Sequence, residues 1–127
     1  MEGMFNLCSS LIRVNFENSN LRWVYNMNQM FLNCESLVSV NFNNIKLNYL
    51  QNMYQMFYGC DSLISLDLSY INSNYINNIT QLFYKCSSLE EINLSNFKTT
   101  NVKNMEQVFY DCNSLKSLNL SSFDTTR

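Results

Sequence analysis

The chain has no proline, no histidine and only two glycines, Gly3 and Gly59, in 127 residues. Without histidine there is no Ser–His base, and no G-x-S-x-G context occurs that would expose a nucleophilic serine. With so little glycine and no proline, turns fall to Asn and Ser, whose side chains mimic backbone turns and tolerate left-handed conformations. Charge is scarce as well: 14% of residues are charged, the formal net charge is −2, and no long basic run occurs. An electrostatic grip on nucleic acid or anionic lipid is therefore not supported. No apolar run is long enough to span a bilayer, and nothing at the N-terminus resembles a signal peptide. What remains is a chain that is 46% hydrophobic, enough to bury a core and to argue against disorder.

What the chain does have is a repeat. Cysteines stand at Cys8, Cys34, Cys60, Cys86 and Cys112, evenly spaced in a 26-residue period. Three residues before each lies Phe5, Phe31, Phe57, Phe83 or Phe109; three after lies Leu11, Leu37, Leu63, Leu89 or Leu115. Copies begin at Met4, Met30, Met56, Leu82 and Val108, and the fifth is incomplete at Arg127. A fixed period without slippage means one supersecondary unit per copy, stacked on its neighbours. Residues 1–127 thus read as a single repeat domain of about five coils. Neither end carries a polar cap, so the expectation is a segment of a longer array, or ends covered by partners or by self-association.

Within a copy two periodicities follow one another. Leu66 and Leu68 alternate with Ser65, Asp67 and Ser69, a period of two that predicts a short strand. Val14/Phe16, Val40/Phe42, Ile92/Leu94 and Leu118/Leu120 are its sisters. Then Val24/Met27/Phe31, Leu50/Met53/Phe57, Ile76/Ile79/Phe83 and Val102/Met105/Phe109 fall at three- and four-residue steps, as on one face of a helix. Asn48, Asn74 and Thr100 stand where N-caps belong. The residue before each cysteine is Leu7, Asn33, Gly59, Lys85 or Asp111; Asn, Gly and Asp suit a helix C-terminal turn, while Leu and Lys imply that positive φ is not required. The predicted coil is strand, turn, short helix, turn, an α/β solenoid with parallel strands on one face and wider helices on the other.

The segments "MFYGCDSLISLDLS", "LFYKCSSLEEINLSNFKTTNVKNM" and "VFYDCNSLKSLNLSSFDTT" resemble the BspA-like leucine-rich repeat family. More narrowly they resemble its M-F-x-x-C-x-S-L-x-x-L-D-L-S-x-F-x-T-x-x-V-x-x-M variant of mycoplasma and other surface proteins. The likeness runs along the whole chain and is strongest in the last two copies. "RVNFENSNLRWVYNM" departs from it by lacking the D-L-S-x-F-x-T section. The resemblance implies a right-handed leucine-rich-repeat-like coil stack with no enzymatic activity. It further implies adhesion to host proteins or other cells, often from lipid- or wall-anchored chains, and so a cell-surface or extracellular place. The chain itself shows no export signal or anchor, and unpaired thiols suit a reducing compartment, so an intracellular place stays open.

The residues themselves point to recognition. Zinc sites want close pairs such as C-x-x-C with further Cys or His, whereas these cysteines are one full repeat apart. A disulfide needs Cα atoms about 4.4–6.8 Å apart, less than the expected spacing of thiols at helix ends. Cys8, Cys34, Cys60, Cys86 and Cys112 therefore read as a reduced structural ladder beside the phenylalanine column, with no metal and no cofactor. The serine two residues after each cysteine reads as a turn hydroxyl. Glu90 and Glu91 alternate on a strand and so cannot form a catalytic pair. Asn26, Asn52, Asn78 and Asn104, with Gln29, Gln55, Gln81 and Gln107, read as amide ladders or as solvated amides.

The outward strand residues form polar columns of Arg13, Ser39, Ser65, Glu91 and Ser117; of Asn15, Asn41, Asp67, Asn93 and Asn119; and, one step on, of Glu17, Asn43, Ser69, Ser95 and Ser121. A flat, nearly neutral face of hydroxyls and amides offers hydrogen bonds to a protein or glycan ligand. The second reading of the chain is a structural spacer or self-associating stack. Exposed aromatics, Trp23, Tyr49 and Tyr75 with Tyr58, Tyr84 and Tyr110, are a further candidate surface, or pack between coils.

Overall fold

The computed structural model describes residues 1–124. The chain winds so that each copy lies over the one before it. Four three-residue strands, β1 (Arg13–Asn15), β2 (Ser39–Asn41), β3 (Ser65–Asp67) and β4 (Glu91–Asn93), pair in parallel as β1–β2 and β3–β4. Partners are one period apart: Val14 faces Val40 and Leu66 faces Ile92. One inward apolar residue per strand keeps these strands short, and a side-chain turn ends each of them. In the fifth copy, Leu118 and Leu120 do not form a strand.

The expected helix is absent: no described residue is in an α-helix. The α/β solenoid reading is therefore overturned, and with it the capping roles of Asn48, Asn74 and Thr100. Its place is taken by consecutive tight turns whose hydrogen bonds run in two directions. Met27, Gln29, Phe31 and Asn33 donate their N–H groups to the carbonyls of Asn52, Tyr54, Met56 and Tyr58 in the next coil, at 2.7–3.0 Å. Between them, Met30, Leu32 and Cys34 donate back three residues, to Met27, Gln29 and Phe31. The i→i−4 bonds that define an α-helix are replaced by inter-coil bonds of β type, alternating with turn closures.

This winding places left-handed residues at two positions in every coil, and at a third, Asn18 and Asn44, in the first two. Gln29, Gln55, Gln81 and Gln107 have φ of 52–54°, with Gly3 in the same column at 58°. Leu7, Asn33, Gly59, Lys85 and Asp111, the column before the cysteines, all lie at 54–67°. Positive φ is thus required throughout that second column, Leu7 and Lys85 included. A non-glycine residue pays of order 1–3 kcal/mol to sit there, and it persists because ladder bonds on both sides leave the backbone no other choice. The wide helical face disappears with the helix.

The three- and four-residue spacing of Met27/Phe31, Met53/Phe57 and Ile79/Phe83 still places those side chains inside; all six are fully buried. One continuous core runs along the stack from Phe16 to Val108. Phe5, Phe31, Phe57, Phe83 and Phe109 stack ring on ring, 5.3–5.7 Å between centroids and 7–14° from parallel. Each such pair adds roughly 0.5–1.5 kcal/mol to the burial of the rings.

Candidate functional site

Three columns next to the core explain what the recurrent polar residues do. Cys34, Cys60, Cys86 and Cys112 each direct Sγ to the carbonyl of the phenylalanine one coil back, Phe5, Phe31, Phe57 and Phe83, at 3.0–3.2 Å. Those same carbonyls accept the backbone N–H of Cys8, Cys34, Cys60 and Cys86. Every one of these four thiols therefore ties its own coil to the one before it. All five cysteines are free; Cys34, Cys60 and Cys86 are buried, Cys112 is half-buried and Cys8 is exposed. Burial pushes the thiols of Cys34 and Cys112 up from 9.0 to about 11, and drives Cys60 and Cys86 up as well. Among the described residues no three His, Cys, Asp or Glu side chains gather where they could hold a metal ion.

The glutamines form a ladder: Gln29, Gln55 and Gln81 donate Nε2 to Oε1 of Gln55, Gln81 and Gln107 at 2.8, 2.6 and 2.7 Å. The asparagines beside them form no ladder with one another; Asn26 Nδ2 donates to Glu2 one coil back, and the shared role lies within a coil. Oδ1 of Asn26, Asn52 and Asn78 accepts the N–H two residues on, from Asn28, Tyr54 and Thr80. Only the glutamine half of the amide-ladder reading is realised.

The strand-face asparagines make the same local turn. Oδ1 of Asn15, Asn41, Asp67, Asn93 and Asn119 accepts the N–H of Glu17, Asn43, Ser69, Ser95 and Ser121 at 2.8–3.1 Å. That bond ends each strand, and it needs only an acceptor, which is why Asp67 substitutes for Asn. Half of each side chain is committed to the backbone. What it leaves for a ligand is an outward amide N–H₂, or a carboxylate oxygen at Asp67.

Part of this face forms a groove of about 510 Å³ across the second to fifth coils, lined by Ser39, Asn41, Ser65, Asp67, Glu91, Asn93 and Ser117, with the strand backbone at Val40, Leu66 and Ile92, whose side chains turn to the core, running between them. Outside the groove lie Arg13 and Asn15, on the first coil, Asn119, in the fifth copy that forms no strand, and Ser69, Ser95 and Ser121, two residues beyond the asparagine column. The groove spans the junction where β2 and β3 lie side by side without pairing. Glu91 faces into it, while its neighbour Glu90 pairs with Lys116 at 2.6 Å. That exposed pair adds little to stability.

The surface aromatics pack between coils, with Trp23, Tyr75 and Tyr110 exposed and Tyr49, Tyr58 and Tyr84 half-buried. Trp23 stacks on Tyr49 at 5.2 Å, Tyr49 lies over Tyr75 at 5.6 Å, and Tyr58, Tyr84 and Tyr110 stack at 4.7 and 4.8 Å. Arg22 covers the outer face of Trp23 at 4.8 Å. Sequence reasoning missed a buried polar column. Ser73 and Thr99 occupy the position of Leu47; Ser73 Oγ donates to the Leu50 carbonyl at 2.7 Å, and Thr99 Oγ1 accepts from Asp124 N at 2.7 Å. The signal was the change from Leu to Ser and Thr in one column of an otherwise apolar turn.

Stacked, in-register copies without a helix among the described residues, held by ladders of phenylalanine, thiol and glutamine, define a parallel repeat protein. The chain belongs to the family described as "Mycoplasma protein of unknown function, DUF285", whose model matches residues 1–89 and 51–127. No curated protein and no solved structure matches it. No helix among the described residues is long and apolar enough to cross a membrane.

Proposed function

We propose that this chain is a non-enzymatic interaction module whose strand-side groove takes a protein or glycan ligand at a cell surface. The observation that carries this reading is the groove itself. Hydroxyls, amides and two carboxylates, Asp67 and Glu91, line a concave strand face. Ligand sites of this type combine a pre-formed concave surface with a few placed polar groups. The resemblance to BspA-like surface repeats supports a cell-surface setting and adhesion as the use of the groove.

The test is direct binding of the isolated chain to immobilised glycans and extracellular matrix proteins, followed by the groove variants Ser65→Arg and Ser117→Arg. Both positions are exposed, so the variants should melt like the parent. The reading expects a captured ligand whose binding falls at least tenfold in each variant. Unchanged binding in both would move the site off this face; a folded chain that captures nothing would sink the reading.

A further inference from the structure

We propose that a second face, built by residues 20–25, 46–51, 72–77 and 98–103, binds an acidic polysaccharide laid along the stack. It shares no residue with the strand groove and goes beyond that reading.

These segments hold half of the eight Lys and Arg residues of the chain and none of its ten Asp and Glu residues. Arg22, Lys46, Lys98 and Lys103 are all exposed. The first carboxylate in their columns is Asp124, one coil beyond Lys98. Scattered along the sequence, the four cations form no basic run; the winding gathers them. Backbone bonds keep the segments in register: Gln51, Asn77 and Lys103 donate N–H to the carbonyls of Tyr25, Gln51 and Asn77 one coil back, at 2.8–2.9 Å. Lys46 and Lys98 share a column two coils apart, roughly 10 Å at about 4.8 Å per coil. That is the length of one disaccharide, so a glycan with one acidic group per disaccharide meets both.

At Lys98 the face is hollowed into a pocket of about 140 Å³ lined by Asn74, Lys98, Thr100 and Asn101. Asn74 Oδ1 holds Lys98 Nζ at 3.1 Å, and Asn101 Nδ2 donates to the Asn74 carbonyl at 2.7 Å. The ammonium keeps further protons, and the Thr100 hydroxyl and the second Asn101 N–H share the pocket with it, a donor set for one sulfate or carboxylate group. Next to Asn74 in the chain, Tyr75 ends its column of rings: it lies over Tyr49, and Asn101 follows where a ring would continue. The side of Tyr75 turned from Tyr49 offers the apolar face of a sugar a partner. Other polyanions fit less well. A membrane surface asks for apolar side chains beside the cations, and no aliphatic residue of these segments is exposed. Single-stranded nucleic acid stacks successive bases on successive rings, whereas Trp23, Tyr49 and Tyr75 stack on one another.

The experiment measures binding of the full chain to immobilised heparin, with polyglutamate, single-stranded DNA and phosphatidylserine vesicles as comparison probes. The parent should bind heparin most tightly and release it as salt rises from about 0.1 to about 0.5 M, where charges are screened. The double variant Lys46→Gln/Lys98→Gln should lose about tenfold in affinity or more, and Tyr75→Ala about threefold or more. The control Lys85→Gln/Lys116→Gln has the same net charge as the first variant and should bind like the parent. All five replaced residues are exposed, so each variant should melt like the parent. Ser65→Arg, in the groove, should leave heparin binding undiminished; a loss there would move the glycan to the groove and overturn the proposal. Equal losses in the two double variants would reduce binding to net charge and overturn it as well. So would tighter binding to any comparison probe, no loss in Tyr75→Ala, or a folded parent that heparin does not retain.

Discussion

Phe57 and Phe83 stand face to face, 5.7 Å between ring centroids and 12° from parallel, although they belong to successive copies of the repeat. Each ring is fully buried, so neither coil encloses its phenylalanine alone. Phe57→Ala should cost about 3–5 kcal/mol, as large-to-small core changes do, and should destabilise the whole stack in one transition. Phe5→Ala, at the half-buried end of the same column, should cost clearly less. Urea unfolding of both variants checks this; equal losses would mean that the column is not a shared core.

The thiols make stability depend on pH. Native Cys34 and Cys112 keep their protons up to about 11 against 9.0 in the unfolded chain, and Cys60 and Cys86 shift the same way, chiefly through burial. Above pH 9 the unfolded state therefore binds fewer protons than the native state, and stability falls as pH rises. It is fully present below pH 9. Melting temperatures under reducing conditions should drop between about pH 9 and 11, with a shallower drop in Cys60→Ala. A flat profile would place the thiols in contact with solvent.

The strand-ending turns predict an asymmetry between two substitutions. Asn41→Asp keeps the acceptor for Asn43 N–H and should be nearly neutral, as Asp67 already does the same for Ser69. Asn41→Ala removes it and should cost about 0.5–1.5 kcal/mol, the usual net worth of one such bond. Chemical denaturation of the pair measures the difference.

Gln55 holds φ at 52° while joining Gln29 and Gln81. A β-branched residue there both strains the backbone and loses the amide bonds, so Gln55→Val should cost about 2–4 kcal/mol. Gln55→Gly loses the two amide bonds but relieves the backbone, and should cost distinctly less. The reverse order, read from thermal melts, would mean that the positive φ is not maintained in solution.

How far the sequence revealed this fold depends on which periodicity is asked. The phenylalanine and cysteine columns gave the period and the stacking partners, because a constant spacing has only one economical explanation. Val14, Val40, Leu66 and Ile92 gave the strands, since alternation about a single inward residue is a local signal. The helix failed because apolar steps of three and four residues, as in Met27/Met30/Phe31, also arise when two tight turns follow each other. The discriminating sign was present in Gly3, which shares its column with four glutamines, and in Gly59 four residues after Gln55. Glycine recurring at those two columns marks positive φ, and a helix interior has no use for it. The groove was legible only in part. Ser39, Ser65 and Glu91 pointed outward as alternation requires, but the concavity of the face depends on how neighbouring strands sit.

Scalar couplings across hydrogen bonds test the central claim most directly. In the isotope-labelled protein, the Phe57 amide nitrogen should couple to the carbonyl carbon of Leu82, its acceptor at 3.0 Å in the following coil. A coupling from Phe57 to the carbonyl of Met53 instead would restore a helix at this position and contradict the stack of turns.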